Sequence, residues 1–313
     1  MKKYENPPLM PSSALVYFLD EKASTIPYHK VSSIRSCLEN IVETIFIHII
    51  DPEKKSSWRK STLNGQLKLL EDFFPKDINE RISAIRILGN KGAHQNQHLQ
   101  LSDEVISISL GDLSRICEWT ILSYFKKHGF NSHPWIPTVF STLPPVYRVR
   151  ILEELVDFNS VDKRDVSSYL DEVQNYHYRI ITGQITPDNC PPTALEKRIE
   201  GFLLVIDKLA MAYLKNNELN KALDFLEEVF HKGFINETFR GQMLEKLEIL
   251  EQNYHQLPIS ATLDQTRKAL EQILPAVKED EQSLFITLFS AIVLEKPDKA
   301  SGSENADEAP PED

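Results

Sequence analysis

Apolar residues at helical spacing over most of the chain are the feature that most narrows the fold. In "VSSIRSCLENIVETIFIHII" (31–50), Val31, Ile34, Leu38, Ile41, Val42, Ile45 and Ile49 recur every three or four residues and share one helix face. Strand-like alternation is nearly absent. The same spacing predicts helices over 61–74 (Leu63, Leu67, Leu70), from Asp77 to Gly89 (Ile78, Ile82, Ile85) and from Ser102 to His128 (Ile106, Leu110, Leu113, Cys117, Tyr124). Glycine often terminates helices, so Gly89 is expected to end the third, with Asn90 turning back onto its open carbonyls. Ser102 and Gly129 are the expected ends of the fourth. Helices at this density pack as a bundle.

Four prolines fall within "FNSHPWIPTVFSTLPPV" (130–146), which reads as a linker. Beyond it, helical spacing resumes near 147–158 and 163–182, then runs from 194 to about 295. Within 203–236, Leu209, Ala210, Tyr213, Ala222 and Leu226 occupy the small and large positions of a tetratricopeptide-like helix pair. The expected fold class is therefore all-α: a 28–129 helical bundle after a 1–27 extension, a 130–146 linker, a helical-repeat-like domain over 147–297, and an acidic tail over 298–313.

Charge limits where nucleic acid could bind. Residues 1–135 carry a balance of +2, whereas residues 136–313 carry −13. A phosphate backbone would be repelled by the second half, so any such contact is expected in the first. The three cysteines form no CxxC pair, which argues against a zinc motif or a disulfide framework and for a reducing cytoplasm. No apolar run approaches the roughly 20 residues of a membrane span. Gly-rich phosphate loops and GxSxG are also missing, and no cofactor is implied.

Two polar stretches stand out. "DPEKKSSWRKS" (51–61) places Lys54, Lys55, Arg59 and Lys60 around Trp58, a basic loop that could meet RNA through phosphate contact and base stacking. Trp58 packed back onto the bundle is the plainer alternative. In "IRILGNKGAHQNQ" (85–97), Arg86, Asn90 and His94 recur every fourth residue, with Lys91 among them. On an unbroken helix these three would spread over about 80° of one face. Arginine can hold two phosphate oxygens, and imidazole titrates near neutral pH, as proton transfer from a ribose hydroxyl requires. His94 and His98 also form HxxxH, but no acidic or thiol third ligand lies nearby, so no metal site is expected.

Residues 31–128 resemble the HEPN superfamily of helical bundles, closest to its uncharacterised domains attached to restriction enzymes and anti-phage defence proteins. "IRSCLENIVETI" (34–45), with Arg35 and Glu39, and "INERISAIRILGNKGAH" (78–94) carry the likeness. The resemblance implies a bundle that dimerises and, in catalytic members, cuts RNA without metal. The position directly before Asn90, where active members carry arginine, holds Gly89. Arg86 stands one turn earlier, with seven residues between it and His94. Two readings follow. One is a dimerising interaction or regulatory protein of a cytoplasmic prokaryotic defence system, with a degenerate RNA-binding motif and a protein partner on its helical second half. The other is a metal-independent endoribonuclease acting through Arg86, Asn90 and His94. "IFIHII" (45–50) is apolar on more than one face and is the expected source of a homodimer surface.

The tail over 298–313 carries 6 acids and 1 lysine, too little apolar surface to offset its ordering entropy. Deleting it should leave the thermal midpoint of the full chain unchanged, measured by circular dichroism.

Overall fold

The computed structural model describes residues 8–70, 72–93, 102–182, 184, 191–257, 259, 262–276 and 284–293. Among them every regular element is a helix, as the apolar spacing requires. The acidic tail, His94, His98 and Cys190 lie outside the described residues. The chain divides into two compact units, one of residues 8–117 with 286–293 and one of residues 118–285.

The first unit is built on α1 (Ser12–Ala23) and α2 (Pro27–Ile41), which pack on each other. Leu9, Met10 and Ala14 are fully buried, and the Leu9 N–H donates to Ser114 Oγ at 3.1 Å. The expected 1–27 extension is thus corrected: residues from Leu9 onward belong to the core. Apolar residues 9, 10 and 14 are too few to show a periodic stripe, so the sequence understated them. Pro27 begins α2 at a position where its missing N–H costs nothing. The helix runs on into a π-helical turn, Val42–Phe46. Along it Val31, Ile34, Leu38, Ile41, Val42 and Ile45 are all buried, the stripe anticipated from spacing.

A 3-10 turn (Pro52–Lys54), α3 (Lys55–Lys60) and α4 (Leu63–Leu69) follow. Phe46 meets Phe74 edge-to-face at 4.9 Å, closing the bottom of this segment. Helix α5 extends over Lys76–Ala93, beyond the expected stop at Gly89. Gly89 has no positive φ and so is not a terminator; its reason lies in packing, given below. Helix α6 (Asp103–His128) starts where Ser102 Oγ accepts the Val105 N–H at 3.3 Å. It ends at Gly129, whose φ of +89° only glycine adopts readily.

The second unit takes up the chain at Glu118, inside α6. It continues through α7 (Ile136–Phe140), α8 (Pro145–Leu155), α9 (Lys163–Ile181), α10 (Ala194–Lys215), α11 (Leu219–His231), α12 (Glu237–Gln252) and α13 (Leu263–Ile273). The last helix, α14 (Leu284–Val293), returns residues 286–293 to the first unit. The stretch 130–146 is not a linker. Phe130, Ile136, Val139, Phe140 and Leu143 are buried, because Pro137 and Pro145 occupy first helical turns and start helices instead of breaking the core. The unit boundary falls at 117/118 instead.

Helices α10 and α11 pack as a hairpin through a turn in which Asn217 adopts a φ of +63°. Ala210 and Ala222 are fully buried, with Leu209, Tyr213 and Leu226 filling the space around them. Glu153 of α8 accepts both the Tyr213 hydroxyl at 2.8 Å and the Lys221 ammonium at 2.6 Å, binding three helices at one carboxylate.

Among the described residues Arg148 is a buried charge with no ion-pair partner. Arg148 of α8 is 5% exposed, its Nε has no hydrogen-bond partner, and burial pushes its pKa down to about 10. The unfolded chain binds this proton more tightly than the folded one, so the penalty is complete at neutral pH. It is relieved only as pH rises through about 10. Arg148→Met keeps the packing volume and removes the charge, and should raise stability at pH 7 by about 1–3 kcal/mol in urea denaturation.

Candidate functional site

The motif residues lie on α5, and α5 is held by polar bonds to three neighbouring helices. Arg81 pairs with Asp112 of α6, a carboxylate only 7% exposed. Arg86 donates through Nη1 to the Asn64 side-chain oxygen on α4. Asn90 accepts from Arg35 Nη1 of α2 at 2.8 Å, while Arg35 Nε donates to Glu39 Oε1 at 2.9 Å. Arg35 therefore joins the stretches "IRSCLENIVETI" and "INERISAIRILGNKGAH".

Between these bonds the backbones of α2 and α5 come very close. A Cβ placed on Gly89 would lie 2.7 Å from Arg35 Cβ and Cδ and 2.9 Å from Cγ. Arg35 Cβ is fixed to the α2 backbone and cannot swing aside as a side-chain tip would. Only glycine allows this approach, which explains a residue of poor helix propensity inside a helix. Asn90 does not cap the helix as expected, because α5 continues past it and its carbonyl is engaged by Arg35.

The arrangement brings Arg35, Glu39 and Asn90 together and gives Arg86 a separate partner one turn earlier. Both guanidiniums keep N–H donors with no partner among the described residues, and Arg35 is 32% exposed, so an oxyanion could still be held here. Among the described side chains the site supplies cations, an amide acceptor and one carboxylate, Glu39, which is held by Arg35. His94 lies outside the described residues, as does the side chain of Lys91. The described residues contain no cluster of three or more His, Cys, Asp or Glu able to hold a metal.

The basic stretch is helical, not a loop. Lys54, Arg59 and Lys60 are exposed and Lys55 half-buried, and Lys54 pairs with Asp51 at 3.2 Å. Trp58 is 1% exposed, and its carbonyl accepts from Gln66 Nε2 at 3.4 Å. Its ring is therefore packed inward and offers no face for base stacking. "IFIHII" is likewise largely absorbed, with Ile45, Phe46 and Ile50 buried.

Asn64 and Asp112 were missed by sequence reasoning. Each had a signal of a kind: Asn64 stands directly after Leu63 of the α4 stripe, and Asp112 falls between Leu110 and Leu113 of the α6 stripe, where a carboxylate calls for a cationic partner. Neither signal names the partner. No family model, curated protein or solved structure matches this chain.

Gly89→Ala sets two effects against each other. Helix propensity favours alanine by about 1 kcal/mol, while forcing a methyl into a closed contact costs about 1–3 kcal/mol. Overpacking should win, because the contact is with a fixed Cβ. Gly111 on α6 has nothing within 4 Å of an added Cβ, so Gly111→Ala should stabilise by about 1 kcal/mol. Denaturation midpoints of the two variants should move in opposite directions.

Proposed function

We propose that the protein is a dimerising helical interaction protein, HEPN-like in its first half, that acts as an adaptor or regulator in a cytoplasmic prokaryotic defence assembly. The observation that carries this reading is the burial of position 89 against α2. Active members of the superfamily that the chain resembles have arginine at that position. Here any side chain would meet Arg35, so the position is given over to helix packing. Asn90 and Arg86 are likewise bonded within the fold, to Arg35 and Asn64. The motif then holds a bundle together and retains at most weak affinity for RNA.

The homodimer surface is assigned to α1 and the start of α2. Val16, Tyr17, Leu19, Ile26 and Tyr28 are each at least 38% exposed, and Leu19 reaches 63%. Apolar side chains gathered in this way mark interaction surfaces. A protein partner is assigned to the acidic second half.

The ribonuclease reading is favoured by a different observation. Because α5 is unbroken through Gly89, Arg86 and Asn90 stand one turn apart on the segment leading into His94. The two readings separate in one experiment on the full chain. Purified protein is incubated with single-stranded RNA in EDTA and the products are examined for cyclic phosphate ends, while light scattering follows its mass across micromolar concentrations. The expected result is a dimer that Leu19→Glu converts to monomer, and no cleavage. Cleavage lost by on the order of 10²–10⁴ in both Arg86→Ala and His94→Ala would overturn the adaptor reading in favour of the enzyme.

A further inference from the structure

The second unit contains a cavity of about 640 Å³ that the reading above leaves unused. This lies within the roughly 300–1,000 Å³ typical of small-molecule sites. Its apolar wall is formed by Phe125 and Phe130 at the end of α6, Leu155 at the end of α8, and Phe202 and Val205 of α10. Phe125 and Phe130 meet edge-to-face at 4.9 Å, and Phe202 packs on Phe234 at 5.5 Å. Rings braced in this way hold a fixed shape.

Two glycines shape the opening. The positive φ of Gly129 turns the chain sharply after α6, so that Phe130 folds back against Phe125. A Cβ on Gly201 would fall 2.7 Å from Asn131 Oδ1, and Asn131 is itself held by donating through Nδ2 to the Lys197 carbonyl at 2.8 Å. The rim is thus built from backbone and a fixed amide.

Four charged residues line the cavity: Lys126, Arg198, Glu154 and Asp157. Each acid has a partner within the fold. The Asp157 carboxylate accepts the Asn159 N–H at 2.9 Å, and Glu154 has a partner of its own. Lys126 and Arg198 are exposed and take part in no ion pair or side-chain hydrogen bond among the described residues. In a half of the chain with a balance of −13, two uncommitted cations over an aromatic hollow are unusual. The helix ends that reach the rim are the C-termini of α6 and α8, whose dipoles disfavour negative charge. That opposition grows with the charge of the ligand, so it weighs more on a doubly charged phosphate than on a single carboxylate set beside the two cations.

From this geometry we infer that the cavity binds a small organic carboxylate, its apolar body against Phe125, Phe130 and Phe202 and its head between Lys126 and Arg198. The inference does not rest on the reading of α5. Isothermal titration of the full chain with decanoate, decanol and inorganic phosphate tests it. Decanoate is expected to bind at micromolar concentration, decanol at least tenfold more weakly, and inorganic phosphate not at all. Arg198→Glu and Lys126→Glu, both at exposed positions, should each weaken decanoate about tenfold. Val205→Trp, which fills the hollow, should abolish binding while the circular dichroism melt still shows a folded protein. If Val205→Trp unfolds, Val205→Phe gives the same reading with partial loss. No decanoate heat up to millimolar concentration, equal binding of decanol, or an affinity untouched by both charge reversals would overturn the proposal.

Discussion

The near-contact of α2 and α5 over Gly89 sets the geometry of the first unit. Helices with larger residues at their crossing sit about 8–10 Å apart; a glycine lets the backbones come nearer, so that Arg35 lies across α5 and reaches Asn90. The remaining polar bonds of α5 depend on that placement. Arg81 can find Asp112 and Arg86 can find Asn64 only if α5 holds this rotation and height. Each such bond contributes about 1 kcal/mol, less where water competes. What they supply above all is register, since an apolar stripe alone tolerates sliding. The α2 stripe supplies the bulk of the burial, and the glycine contact fixes where it is buried.

Much of the fold was legible because helices announce themselves through side-chain spacing. The α2 stripe, the capping serine at 102 and the glycine at 129 each act locally, within a turn or two of chain. The misread features were those whose cause lies elsewhere in the sequence. Gly89 looks like a helix end until Arg35 is placed 2.7 Å from its missing Cβ. The prolines of 130–146 look like breaks, yet the same residue opens a helix as readily as it ends one, and the apolar residues between them decide which. For the candidate site, residue types could be named from the sequence, but their partners could not. Asn90 as a bond acceptor for α2, and Arg86 as a bond donor to α4, are facts of packing 55 and 22 residues apart.

Function follows the same division. A motif defines chemistry only if its side chains converge on empty space, and here two of the three named residues converge on other parts of the protein. The carboxylate pocket shows the opposite pattern: no motif advertises it, since its residues come from α6, the turn after it, α8 and α10, but its cations have no ion-pair partner among the described residues. Unspent polar groups beside a hollow are a better guide to ligands than spaced polar groups on a helix.

The first unit is discontinuous in sequence, and this bears on how the chain is made. Residues 8–117 emerge early, but Phe289, Ile292 and Val293 of the last helix, all essentially inaccessible to solvent, belong to the same compact unit. At synthesis rates of about 5–20 residues per second, the early residues must wait on the order of ten seconds or more for the last piece of their core. Throughout that interval the apolar surface later covered by α14 is open to solvent and to neighbouring chains. The protein is thus most exposed to misassembly on the ribosome, and a fragment cut at the end of α6 would remain in that state permanently.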